Sequence, residues 1–154
     1  MRTDQAAEEA SVSQSDFDGA VEAFRQALAR FLKGDPGPAT ALVSRRNDVT
    51  LANPLGPPHR GPAEVDKAIA EAAAYLRDGS VRRFEEVSRY STPDLGYVVQ
   101  IERTEARVAG SENMSPLALR ATLIFRREGD TWRIAHRHAD PITSARPIST
   151  TIGT

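Results

Sequence analysis

From Ser15 onward, apolar residues recur at alternating steps of four and three, at Phe17, Val21, Phe24, Leu28 and Phe31. That spacing predicts a helix with all five on one stripe. Ser15 suits the cap, Asp16 and Asp18 the positive first turn, and Gly34 with Pro36 the stop. A short helix over Ala39–Ser44 and a brief strand over Asp48–Ala52 follow. The next stretch, Asn53–Pro62, carries Pro54, Pro57, Pro58 and Pro62 out of ten prolines in the chain. It therefore reads as a stiff loop, placed to rim a site. A second amphipathic helix is predicted from about Pro62 to Arg77, burying Val65, Ile69, Ala72 and Leu76, with Gly79 ending it.

Beyond Gly79 the period falls to two. Strands are predicted over Val81–Thr92, from Leu95 to about Val108, over Leu117–Arg127 and over Thr131–Asp140, joined by turns at Pro93-Asp94, near Ser111 and at Gly129. Helices first and hairpin-linked strands afterwards make an α+β domain: a cone-shaped, curved antiparallel sheet packed on two to three helices, with a central pocket. Residues 1–14 and 142–154 are polar and aperiodic, so they read as flexible tails around a domain at 15–141.

Composition narrows the class. The 154 residues fit one domain, and 40% apolar with 27% charged residues is ordinary for a soluble globular protein. A formal net charge of −1 gives no bulk electrostatic reason to expect nucleic acid or an anionic membrane as partner. The absence of cysteine excludes disulfides, thiolate chemistry and zinc sites built on Cys. The opening residues lack a secretory apolar core, and no run approaches a membrane span, so the cytoplasm is the default expectation.

Several segments together resemble a known superfamily. They are F-R-Q-A-L-A-R-F (Phe24–Phe31) with G-D-P after it, D-V-T-L-A-N-P-L-G (Asp48–Gly56), and R-A-T-L-I-F-R-R-E-G-D-T-W-R-I-A-H-R-H-A-D (Arg120–Asp140). Their order is similar to that in the superfamily of nuclear transport factor 2, ketosteroid isomerase and the SnoaL-like polyketide cyclases, over roughly Phe17–Asp140. The resemblance implies the cone fold, and it admits enzymes, binding modules and dimerisation modules alike. The steroid isomerase reaction needs a Tyr in its oxyanion hole, on the first helix in that family, where this chain has Phe17, Phe24 and Phe31. Cyclase-like proton transfer stays open to His136, His138 or Asp140. The Asp–Arg–Asp relay of the superfamily's epoxide hydrolases is echoed only loosely by Glu102, Arg120 and Asp140.

Candidate chemistry follows from strict alternation. In the last strand, Trp132, Ile134, His136 and His138 would share one face. With Arg127 opposite Thr131, Thr122 lies opposite His136 and Arg120 opposite His138, and a hairpin centred near Ser111 brings Glu102 close to Arg120. One face would then carry Gln100, Glu102, Arg120, Thr122, His136 and His138, whereas a one-residue change in turn length would set the histidines against Leu119 and Ala121. The catalytic candidates are His138 and His136 as acid/base, Arg120 as stabiliser of negative charge and Glu102 as orienting group. The alternative is that both rings serve only as hydrogen-bond partners across the sheet, and Glu102 with Arg120 only as an ion pair. Ligand-binding candidates are Trp132 as a wall, with Thr122, Gln100, Asn53, Asp48 and Asp140. Two histidines without a third ligand support no metal, and no cofactor is expected. The expected function is an acid/base isomerase or cyclase acting on a hydrophobic small molecule; the alternative is a non-catalytic ligand-binding or dimerisation module. A homodimer is expected through an outer stripe of Val99, Ile101, Leu119, Leu123 and Phe125.

Overall fold

The structure is a computed structural model and describes residues 2–153. Met1 and Thr154, the ends of the two expected tails, lie outside the described residues. Helix α1 spans Arg2–Phe31 and α2 spans Gly37–Leu42. Strands β1 (Thr50–Ala52) and β2 (His59–Arg60) precede α3 (Pro62–Ala73). Four long strands follow: β3 (Leu76–Ser91), β4 (Leu95–Val108), β5 (Met114–Glu128) and β6 (Thr131–Asp140). A 3₁₀ turn, Ile148–Thr151, closes the chain.

The strands form one curved, unclosed sheet in the order β2-β1-β6-β5-β4-β3. It is mixed rather than antiparallel throughout, because β1 runs parallel to β6. Phe17, Val21, Phe24 and Leu28 of α1 are buried against Val98, Leu123, Phe125, Trp132 and Ile134. The Phe17 ring packs edge-on to both Phe125 and Trp132. It seats over Gly96, where a Cβ would collide with the ring, so this glycine lets α1 approach β4. A second apolar cluster, including Val49, Leu51, Val65 and Ile69, ties α3 to β1, and Phe31 packs against both.

Two boundaries differ from the sequence expectation. Helix α1 starts at Arg2, not Ser15. Residues 2–14 lack an apolar stripe but are rich in Ala, Glu and Gln, which favour helix without tertiary help. Side-chain bonds Gln5–Glu9 and Gln14–Asp18, one turn apart, support them. Helix α3 stops at Ala73, four residues short of Arg77, since Leu76 already pairs with Val108 in the sheet. Gly79, expected as a helix stop, is buried in an irregular part of β3 and donates its N–H to the Leu32 carbonyl at 3.0 Å.

The expected outer stripe also changes. Val99 pairs with Thr122 and Ile101 with Arg120, and directly opposed residues share a face. Leu119, Leu123 and Phe125 therefore point inward, with Leu123 and Phe125 fully buried in the core. The convex face instead combines Tyr97, Val99 and Ile101 with Ile124 and Thr122.

Candidate functional site

The decisive local feature is in β6. Phe125 pairs with Ile134, but Ile124 pairs with His136, so Ala135 is an extra residue and the ladder bulges there. Alternation reverses across such an insertion. Trp132 and Ile134 face the core; after the bulge Arg137 and Ala139 do. His136 and His138 turn to the convex face, opposite Ile124 and Thr122. The expectation that the two imidazoles share a face with Trp132 and Ile134 is thereby corrected.

The concave face carries a polar cluster of its own. Glu102, only 2% exposed, accepts two hydrogen bonds from Arg137, Nη2 to Oε1 at 2.6 Å and Nη1 to Oε2 at 2.9 Å. Gln100, fully buried, donates Nε2 to Glu102 Oε2 at 3.0 Å. Its Oε1 accepts from Arg25 of α1, at 2.8 Å from Nη2 and 3.3 Å from Nε. Arg25 continues to Glu86 of β3 at 3.0 Å, and Arg89 links Glu86 to Asp18 at 2.6 and 2.7 Å. Both guanidinium groups nearest the centre sit over aromatic rings, Arg137 at 5.1 Å from Phe24 and Arg25 at 4.7 Å from Phe84. Arg137 stands between Leu51 and Leu123 in its row of the sheet; Ala139 and Ala121 stand beside Gln100 in the next row. Two alanines there leave space for a long arginine to reach Glu102 on β4.

The remaining candidates lie elsewhere. Arg120 points to the convex face and pairs with Asp140 at 2.8 Å, so it does not meet Glu102 on the concave side. His138 is 55% exposed, with Nε2 3.3 Å from Asp140 Oδ2. The half-buried His136 has Nδ1 2.7 Å from Thr50 Oγ1, and Thr122 stands beside His138. Thus Arg120, Thr122, His136, His138 and Asp140 do come together, shifted by two residues from the expected register and on the opposite face from Glu102 and Gln100. Trp132 is buried against Phe17, its Nε1 without a partner among the described residues. Asp48 is clamped by Arg126 at 2.7 and 2.8 Å, and the Asn53 side chain accepts the Leu55 N–H in the proline loop.

Electrostatics separate these groups further. Burial, followed by the charge on His138, holds the His136 pKa below the ordinary imidazole value. For Asp140, burial acts upward but is outweighed by hydrogen bonds from the Ile142 N–H and Arg120, leaving the carboxyl below its usual range. The Arg126 hydrogen bonds lower Asp48 likewise. Among the described residues no three His, Cys, Asp or Glu converge as a metal-holding group. No described helix is long and apolar enough to cross a membrane.

Sequence reasoning missed Arg137 and Arg25. The Ala135 bulge hides the first, since strict alternation sends Arg137 outward. A signal was nevertheless present: Gln100 and Glu102 alternate with Val98 and Ala106 on the buried face of β4, and a carboxylate there requires a countercharge.

The chain has a nuclear transport factor 2-like fold, and comparisons with known proteins agree with that architecture. A nuclear transport factor 2-like superfamily protein from Salmonella enterica serovar Typhimurium matches with a TM-score of 0.71 and 10% identity, over 88% of this chain and 95% of that one. A candidate dehydratase of the same family from Streptomyces avermitilis gives 0.70 and 21%, over 87% and 99%. A candidate calcium/calmodulin-dependent protein kinase type II association domain from Thiobacillus denitrificans gives 0.64 and 24%, over 82% and 94%. No curated protein sequence matches the chain. A family model described as the SnoaL-like domain matches residues 20–143, from the buried half of α1 through β6 to just past its end, and on that match the chain belongs to the SnoaL-like domain family.

Proposed function

We infer that the chain is a small-molecule-binding protein whose ligand enters the concave side of the sheet and meets Arg137, Glu102, Gln100 and Arg25 with its polar end. The carrying observation is the buried Glu102–Arg137 pair. A buried ion pair is a weak source of stability compared with apolar packing of the same volume, so its presence under α1 supports a binding role. Phe24 lies over Arg137, and with Leu28 and Phe31 it belongs to the apolar cluster of α1 against which a hydrophobic molecule would pack. The functional unit in this reading is 15–141, with residues 2–14 extending α1 beyond it. Cyclase or isomerase chemistry through His136 and His138 has less support, since their rings lie across the sheet from Glu102. The test is an amide NMR titration with 1-naphthol as probe. Shifts centred on Phe24, Gln100, Glu102 and Arg137 are expected; shifts confined to Tyr90, Tyr97 and Ile124 would contradict the reading.

A second reading, homodimerisation through the convex face, rests on a separate observation. A shallow groove of about 480 Å³ runs there, lined by Val87, Tyr90, Leu95, Tyr97, Val99 and Ile124 among others. Val87 is 68% and Tyr90 60% exposed, more apolar surface than a lone domain ordinarily shows in one place. A second copy is the proposed cover. Sedimentation at micromolar concentration should give a dimer that Tyr97→Glu dissociates, and a monomeric native chain would dismiss it.

A further inference from the structure

A guanidinium carries five N–H donors in a planar fork. Glu102 takes one from each terminal nitrogen of Arg137, and Nε makes no hydrogen bond among the described residues. Among the described residues Trp132 Nε1 is the only fully enclosed side-chain polar atom without a partner, so the unused Nε of Arg137 is not fully enclosed. The side chain is 16% exposed. Phe24 covers the guanidinium face and Glu102 holds one edge, so little rotamer freedom is left to lose on binding. Arg137 therefore presents donors in a fixed direction beside apolar surface, the arrangement that receives an acceptor oxygen.

The charge balance selects which oxygen. Arg137 is neutralised by Glu102; Arg25 and Arg89 are balanced by Glu86 and Asp18, leaving no surplus charge along the network. A carboxylate set against Arg137 would also lie near Glu102, and that repulsion offsets much of its attraction while its desolvation goes uncompensated. A neutral carbonyl takes the same hydrogen bond without that penalty.

We propose that Arg137, oriented by Glu102 and Phe24, is the specificity-determining donor for a neutral carbonyl oxygen on an apolar ligand, and that Glu102 acts as the filter against carboxylates. This rests on the concave-face reading above and deepens it.

The experiment compares three probes of similar shape by NMR titration: 4-phenyl-2-butanone, 3-phenylpropionate and butylbenzene. The native chain should bind the ketone about tenfold more tightly than the carboxylate, and more tightly than the hydrocarbon. Glu102→Gln, which keeps a polar partner for Arg137 but removes the negative charge, should reverse the ketone–carboxylate order. The paired variant Glu102→Leu with Arg137→Met, which leaves no unpaired buried charge, should bind ketone and hydrocarbon alike. Preference of the native chain for the carboxylate, or an unchanged order in Glu102→Gln, overturns the proposal while leaving concave-face binding intact. Equal binding of ketone and hydrocarbon by the native chain does the same. Failure of all three probes to bind overturns both readings.

Discussion

The two faces of the sheet each hold an arginine paired with a carboxylate at nearly the same distance, and only their surroundings differ. On the concave face Arg137 meets Glu102 at 2.6 Å, beneath α1 and with almost no exposure of the carboxylate. On the convex face Arg120 meets Asp140 at 2.8 Å, with the arginine 55% exposed. A short contact does not measure an interaction's worth. Water screens the convex pair and competes for its hydrogen bonds, whereas in the concave pair each charge depends on the other for the solvation it has lost.

Deleting Arg133 is the severest challenge to that contrast. It makes Trp132 and Ile134 neighbours, so that only one of them can face the core. That deletion should abolish cooperative thermal unfolding, while deletion of the bulged Ala135, which leaves Trp132, Ile134, Arg137 and Ala139 on one face of a regular strand, should preserve it. Next in size, Glu102→Ala leaves Arg137 buried without its partner and should cost about 3–5 kcal/mol in urea unfolding. Glu102→Leu combined with Arg137→Met should recover most of that loss. On the other face, Arg120→Ala should cost less than about 1 kcal/mol by the same assay.

The bulge also marks the limit of what the sequence made legible. The apolar stripe from Phe17 to Phe31, the Pro62 helix start and the period-two strands reappear in the structure because each expresses a local repeat. The alternation of Leu119, Ala121, Leu123 and Phe125 reappears as well, but on the inward face and not on the outer stripe expected for Leu119, Leu123 and Phe125. Facing relations between strands were less accessible, since one residue in a turn or one bulge exchanges the faces. The β4–β5 register differs from the centred estimate by one residue, which separates Glu102 from Arg120. The β5–β6 register differs by two at the histidines, so Thr122 and Arg120 still share their face. Arg137 appeared in the sequence as the outward residue between two histidines, and only the Ala135 insertion reverses that.

The smallest expected effects are in pH dependence, and both belong to the convex side. The folded-state pKa of His136 lies below its unfolded value, so the unfolded chain binds more protons as pH drops through about 6.5. Stability should be complete above that pH and decline below it, until the folded-state pKa is passed. His136→Asn should flatten that part of the profile. Asp140 is also depressed, so its contribution is complete above its unfolded value of about 3.8 and is lost as pH falls through the folded value. Asp140→Asn should remove the slope in that acidic window. Urea unfolding midpoints measured from pH 3 to pH 8 would check both.

The difference between the faces is read most directly as two coupling energies from unfolding double-mutant cycles. One cycle uses Glu102→Leu and Arg137→Met, the other Arg120→Met and Asp140→Asn. The concave pair should couple by about 2–3 kcal/mol and the convex pair by less than about 0.5 kcal/mol. A concave coupling as small as the convex one would contradict the account.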